Sequence, residues 1–157
     1  MGCGKSSVGK ALAERLGWLF YDLDAVIEAE AQKSIEAIFD DDGEDHFRQR
    51  EASTLLRLLD VQERTVISLG GGTLVNQALL QQCLKQTLVV RLCASLDTIL
   101  ERTKDSNRPL LKSKSRADVE RLLRAREAHY KRAHHHIDTD GLDVEAVVSA
   151  VLKTRDT

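Results

Sequence analysis

The residues best suited to chemistry stand at the very start of this chain. Met1-Gly2-Cys3-Gly4-Lys5-Ser6-Ser7 reads as the end of the pattern G-x-x-x-x-G-K-[ST]. In such a loop the backbone N–H groups of a Gly-rich turn point inward and cradle phosphate oxygens. The following helix adds its positive N-terminal end. Lys5 would reach the β- and γ-phosphates of a nucleotide, and the Ser6 hydroxyl would ligate magnesium. Gly2 and Gly4 allow close backbone approach, and Cys3 sits where a small spacer is wanted. A helix pattern follows: Val8, Leu12 and Leu16 share one face, Lys10, Glu14 and Arg15 lie mostly on the other, and Gly17 is a natural stop. That context favours a phosphate loop over a solvated Gly-rich terminus. The pattern is nevertheless partial. Its leading Gly would stand about two places before Met1, and the buried strand that launches such a loop is missing.

Asp22-Leu23-Asp24 is the second chemical signal. One carboxylate could hold magnesium through water and the other could accept the proton of a substrate hydroxyl. The plain alternative is helix N-capping, a common use of Asp. Gly70-Gly71-Gly72 suits backbone packed directly against a ligand, although a tight turn would also explain it. Phe47-Arg48 with Glu51 is weaker, since an Arg beside a core Phe is usually a surface ion pair. Arg108-Pro109-Leu110-Leu111, flanked by polar stretches, looks like a lid over about 104–116 that aims one Arg inward. Its alternative is an exposed basic loop. Arg126 is either an anion clamp or a surface charge. His134-His135-His136 cannot converge on a metal, because neighbours on a strand point to opposite faces.

The elements that would hold these residues alternate. Leu19-Phe20-Tyr21, Thr65 to Ser68, Thr87 to Leu92 and His136-Ile137-Asp138 read as strands. Ala25 to Ala31, a helix capped by Ser34 carrying Ile35, Ile38 and Phe39, and a long helix from Glu44 to Leu59 lie between the first two. A helix capped by Ser95 through Arg102, one over Ala117 to Ala133, and one over Val144 to Leu152 complete the set. Strands alternating with helices predict an α/β fold with a parallel sheet and helices on both faces. Such sheets bind ligands at the carboxyl ends of their strands, where the Asp pair and the Gly triplet fall.

A chain of 157 residues, 42% hydrophobic and 31% charged with net charge −2, is bounded to one domain over 1–157. Nothing in that balance suggests a nucleic-acid surface, and no apolar run is long enough to span a bilayer. Three scattered cysteines, Cys3, Cys83 and Cys93, fit a reducing, cytoplasmic compartment; a plastid location would require a removed transit peptide.

In their order these motifs resemble the shikimate kinases. The likeness runs from Gly2 to about Leu152: Gly-x-Gly-Lys-Ser, Phe-Tyr-Asp-Leu-Asp, Ser-Ile-Glu-Ala-Ile-Phe with Gly43-Glu44, and Phe47-Arg48-x-x-Glu51. The Gly triplet, Arg-Pro-Leu-Leu and Arg126-x-x-x-Tyr130 complete it. The resemblance implies a three-layer fold of the P-loop NTPase type, sheet order 2-3-1-4-5, with the first strand missing here. It implies transfer of the ATP γ-phosphate, with Mg2+, to the 3-hydroxyl of shikimate in chorismate biosynthesis. By that likeness Lys5, Asp24 and Arg108 are catalytic, and Ser6 and Asp22 serve the metal. Gly2, Cys3, Gly4, Ser7, Arg102 and Arg108 hold the nucleotide, with Arg102 against adenine. Asp24, Phe39, Phe47, Arg48, Gly70, Gly71, Gly72 and Arg126 hold shikimate, within a region of about 22–60 and beyond. Two arginines for one acid also imply rejection of substrates lacking it. A monomer is implied as well.

Two departures stand out. The late loop Asp140-Gly141-Leu142 lacks the Pro often found there, and the missing strand would open a slot through the sheet. The competing expectations are a catalytically silent relative that binds nucleotide or a partner, and a kinase for another polyol such as gluconate.

Overall fold

A computed structural model describes residues 2–103 and 115–155. Arg108 and nearly all of the expected lid lie outside the described residues. The elements run α1 (Lys5–Leu16), β1 (Leu19–Asp22), α2 (Leu23–Ala31), α3 (Ile35–Leu59), β2 (Thr65–Ser68), a 3-10 turn (Thr73–Val75), α4 (Gln77–Gln86), β3 (Val90–Cys93), α5 (Leu96–Thr103), α6 (Arg116–Tyr130), β4 (His135–Asp138) and α7 (Val144–Arg155).

The strands form two parallel pairs. β1 pairs with β2 in a register that sets Asp22 opposite Ser68, and β3 pairs with β4 with Cys93 opposite Asp138. Among the described residues β2 and β3 each pair along one edge alone. Val66, Ile67, Val90 and Leu92 are accordingly half-buried, where a five-stranded sheet would bury them fully. Helix α1 bridges the halves. Its Val8 joins Ile137 of β4 and Val147, Val148 and Val151 of α7, while Gly9 lies on the Phe20 ring of β1. A second core of Leu23, Ile27, Ile38, Phe47, Leu55, Leu58, Leu79 and Cys83 sits beside β1–β2.

Local chemistry explains the boundaries. Gly17 closes α1 at φ 65°, and the Trp18 N–H donates to Ala13 O at 2.9 Å, the glycine-terminated helix end anticipated from the sequence. Three expectations need correcting, and one helix was not expected. The run Thr87 to Leu92 does not begin a strand at Thr87. Its N–H and hydroxyl both donate to Cys83 O, at 2.9 and 2.8 Å, so Thr87 ends α4 and the strand starts at Val90. Helix α4 itself was not anticipated; Asn76 caps it by accepting from Ala78 N at 3.0 Å and Leu79 N at 3.2 Å. The helix expected to reach Ala133 stops at Tyr130, where the chain tightens into turns. The helices expected from Ser34 and from Glu44 form one span, α3, interrupted at Gly43.

Gly43 has φ 83° and ψ 167°, a region open essentially to glycine. The bend aims the second half of α3, and with it Phe47, Arg48 and Glu51. Gly43→Ala should therefore destabilise the protein by about 1–3 kcal/mol in a denaturant melt. It should also loosen the Arg48–Glu51 ion pair, which a substitution at the equally positive-φ but remote Gly17 should not do.

Candidate active site

The phosphate end is built by the start of α1. Gly2 and Gly4 take φ 66° and 77°, which turn the chain tightly into Lys5, the first helical residue. No side chain caps this helix and no acid occupies its first turn. Its leading N–H groups and positive dipole end are left for an anion. The Ser6 hydroxyl donates to Asp22 Oδ2. Asp22 Oδ1 accepts from Asp24 N at 3.2 Å and Ala25 N at 3.4 Å. The capping reading of Asp22 therefore holds on one carboxylate oxygen, while the other faces Ser6.

A cleft of about 240 Å³ opens here. Gly2, Gly4, Lys5, Ser6, Ser7, Asp22, Asp24, Ser68, Leu69, Gly70, Gly71 and Arg102 line it. A hydroxyl and a carboxylate at one wall suit magnesium, a hard cation that takes oxygen ligands and completes its shell with phosphates and water. Among the described residues no cluster of three or more His, Cys, Asp or Glu could hold a metal by itself. His134 Nδ1 instead accepts from Val89 N at 3.0 Å, tying two segments of backbone.

The far end of the cleft is the Gly triplet after β2. A Cβ on Gly70 would fall 3.1 Å from both Asp24 Oδ1 and Thr73 Oγ1. One on Gly72 would fall 2.9 Å from both terminal nitrogens of Arg48. The triplet is therefore a close-approach surface, with Asp24 on one side and Arg48 on the other. Arg48 Nη1 donates to Glu51 Oε2 at 2.8 Å, and its Nε and Nη2 reach Glu44 Oε1 at 3.4 and 3.3 Å. Burial pulls this guanidinium's pKa down, but Glu51 and then Glu44 outweigh that and hold it above its ordinary value. Arg48 is a fixed cation.

Arg126 reaches the same loop through Tyr130, one turn later on α6. The Tyr130 hydroxyl donates to Gly71 O. Burial pushes the phenol's pKa up, and the neighbouring Arg126 offsets part of the rise. Arg91 lies 5.3 Å over the Tyr130 ring and is held bidentately by Glu127 at 2.9 and 2.6 Å.

The structure gathers most of the residues singled out by sequence. Gly2, Gly4, Lys5, Ser6, Ser7, Asp22, Asp24, Gly70, Gly71 and Arg102 share the cleft, and Gly72 with Arg48 adjoins it. Cys3 is buried behind the loop, as a spacer would be. Phe39 and Phe47 pack on one another beside Arg48. Phe47 is 4% exposed in the core, its ring 4.7 Å from that of Phe39, and it carries Arg48 at 5.2 Å above it. The pair supports the clamp from below. Arg102 donates to Thr139 Oγ1 at 3.2 Å, Thr139 O at 3.1 Å and Gly2 O at 3.5 Å, which joins the phosphate loop to the turn after β4. Ser68, Leu69 and Thr139 were not anticipated. Their position at or just past strand ends is the signal that marks them.

Comparison with known proteins gives the family and the fold. The shikimate kinase family profile matches residues 1–156. A shikimate kinase of Geobacter sulfurreducens is 46% identical, over 96% of this chain and 84% of its own length. One from Persephonella marina is 39% identical, over 97% and 92%. Among solved structures, shikimate kinase from Bacteroides thetaiotaomicron superposes with TM-score 0.92 at 28% identity, covering 100% of this chain and 94% of that one. Shikimate kinase from Acinetobacter baumannii, in complex with shikimate, gives TM-score 0.92 at 33% identity, covering 98% and 87%. A gluconokinase from Sinorhizobium meliloti shares the fold more distantly, with TM-score 0.61 at 20% identity. A family profile that spans nearly the whole chain, and relatives at 39 and 46% identity over almost all of it, show that this chain belongs to the shikimate kinase family.

Proposed function

We propose that this chain transfers the γ-phosphate of ATP to the 3-hydroxyl of shikimate, giving shikimate 3-phosphate and ADP. One observation carries the reading. The cleft runs from Lys5 and Ser6 to Asp24 and Gly70, so a phosphate seated on α1 and a hydroxyl beside Asp24 occupy the same space. Phosphoryl transfer needs little covalent help; positioning and electrostatics do most of the work.

The chain's own residues divide that work. The bare N-terminal turn of α1 and Lys5 receive the phosphates and balance the charge spread over the transferring oxygens. Magnesium would supply positive charge to neutralise the phosphate oxygens, and Ser6 and Asp22 are the residues that would hold it. Asp24 orients the acceptor hydroxyl and takes its proton. Arg48 and Arg126 grip the substrate carboxylate, and Gly70, Gly71 and Gly72 let the ring approach the backbone. Arg102 faces the nucleotide side. The reading also takes the protein to act as a cytoplasmic monomer on a small molecule. No helix among the described residues is long and apolar enough to cross a membrane.

Glu44 has a consequence for affinity. Its exposed carboxylate occupies the Nε–Nη2 edge of Arg48 that a substrate acid would take. An exposed i,i+4 pair is worth about 0.3–0.5 kcal/mol. Glu44→Gln should therefore lower the KM for shikimate about twofold and leave the KM for ATP unchanged.

Shikimate-dependent ADP release tests the function, with gluconate and a shikimate analogue lacking the carboxylate as competitors. Turnover with shikimate alone supports the reading. Equal turnover with gluconate, or with the acid-free analogue, would move it to another polyol kinase.

A further inference from the structure

The Gly triplet leads straight into Thr73, a residue to which no role has been attached. Its side chain is wholly buried, at 0% exposure, on the first residue of the 3-10 turn. Its Oγ1 donates to Glu51 Oε1 at 2.7 Å. The other oxygen of that carboxylate, Oε2, accepts from Arg48 Nη1 at 2.8 Å. Glu51 is itself only 2% exposed. A buried carboxylate must have donors on both oxygens, and here one is a hydroxyl and the other the arginine. The turn that holds Thr73 grows from the triplet, since Thr73 N donates to Gly70 O at 3.4 Å and Val75 N to Gly72 O at 3.1 Å. Thr73, Glu51 and Arg48 thus form a relay that begins and ends on the same glycines, because Arg48 lies against Gly72.

We infer that Thr73 is a positioning residue for substrate recognition: its hydroxyl fixes Glu51, and Glu51 fixes the Arg48 fork against the Gly72 backbone. The inference rests on Arg48 gripping the substrate carboxylate, as proposed above. A neutral donor suits this post. A second cation in its place would draw Glu51 away from Arg48, whereas a hydroxyl pins one oxygen and leaves the other on the guanidinium. Because Arg48 binds through two parallel N–H bonds, a small rotation of its plane loses geometry as well as charge contact. Binding of the acid should suffer while the reacting hydroxyl and phosphate, at the Asp24 and Lys5 end, are little affected.

Steady-state kinetics on the full chain test this. Thr73→Val keeps the shape and removes the hydroxyl. It should raise the KM for shikimate about tenfold, with kcat and the KM for ATP changed by less than about twofold. Thr73→Ser restores the donor and should bring the shikimate KM back to within about twofold of the parent. Thr73→Ala, which adds no apolar branch, carries the same expectation as valine and serves if the valine variant does not fold. The inference is overturned if a folded hydroxyl-free variant keeps the parental shikimate KM, if both KM values rise together, or if serine does not rescue. Loss of folding in both the valine and alanine variants would also overturn it, because the hydroxyl would then be structural. The parent protein separates the two levels. Failure of the parent to turn over shikimate sinks the proposed function, whereas an active parent with an indifferent Thr73 sinks only the relay.

Discussion

Lys5→Ala should lower kcat for shikimate-dependent ADP release by about 10³-fold. The argument is electrostatic. Lys5 opens a helix that carries no side-chain cap and no acid in its first turn, so its ammonium adds to an already positive end. Charge spreads over the transferring oxygens in the transition state, and a cation fixed beside them is already in place to offset it. Lys5 lies on the cleft wall and is only half-buried, so its removal should leave the thermal midpoint nearly unchanged. Kinetics and a melt on the same preparation check both halves. A fall in kcat accompanied by unfolding would mean that Lys5 holds the loop together instead.

Asp24→Asn should lower kcat by about 10²–10⁴-fold, the range for a positioned general base. The amide keeps the shape and can still hydrogen-bond a hydroxyl, but it cannot accept the proton. Binding of ATP, measured without shikimate, should not change. Asp24 sits in the first turn of α2, so loss of its charge should weaken that helix by only about 0.3–1 kcal/mol. The neighbouring Asp22 provides the contrast. It both caps α2 and faces Ser6, and its replacement should harm stability and metal dependence together.

The phosphate loop was legible because its chemistry is local. Gly2, Gly4, Lys5 and Ser6 owe their placement to backbone angles and a helix start that lie next to them in sequence. Asp22, Asp24 and the Gly triplet were legible because parallel sheets expose the same strand ends, and Asp22 pairs across to Ser68. Which face of α3 turns inward past the Gly43 bend is not written in the sequence, and the structure sets Phe47 in the core beneath Arg48. Thr73 and Tyr130 were missed as partners because their bonds, to Glu51 and to Gly71, span 22 and 59 positions. Helix α4 was missed although Asn76 announces it and Leu79, Leu80 and Cys83 carry its buried face between exposed glutamines. Thr87 reads as a strand residue by propensity, and the packing of α4 overrode that preference.

The most direct test mixes the protein with ATP, magnesium and shikimate and follows the products by phosphorus NMR, with Lys5→Ala as the control for contaminating kinase. The account predicts stoichiometric ADP and a new phosphate monoester on the 3-hydroxyl, both lost in Lys5→Ala. Slow ATP hydrolysis without the monoester, or product formed equally by Lys5→Ala, would contradict the claim that this cleft carries out the transfer.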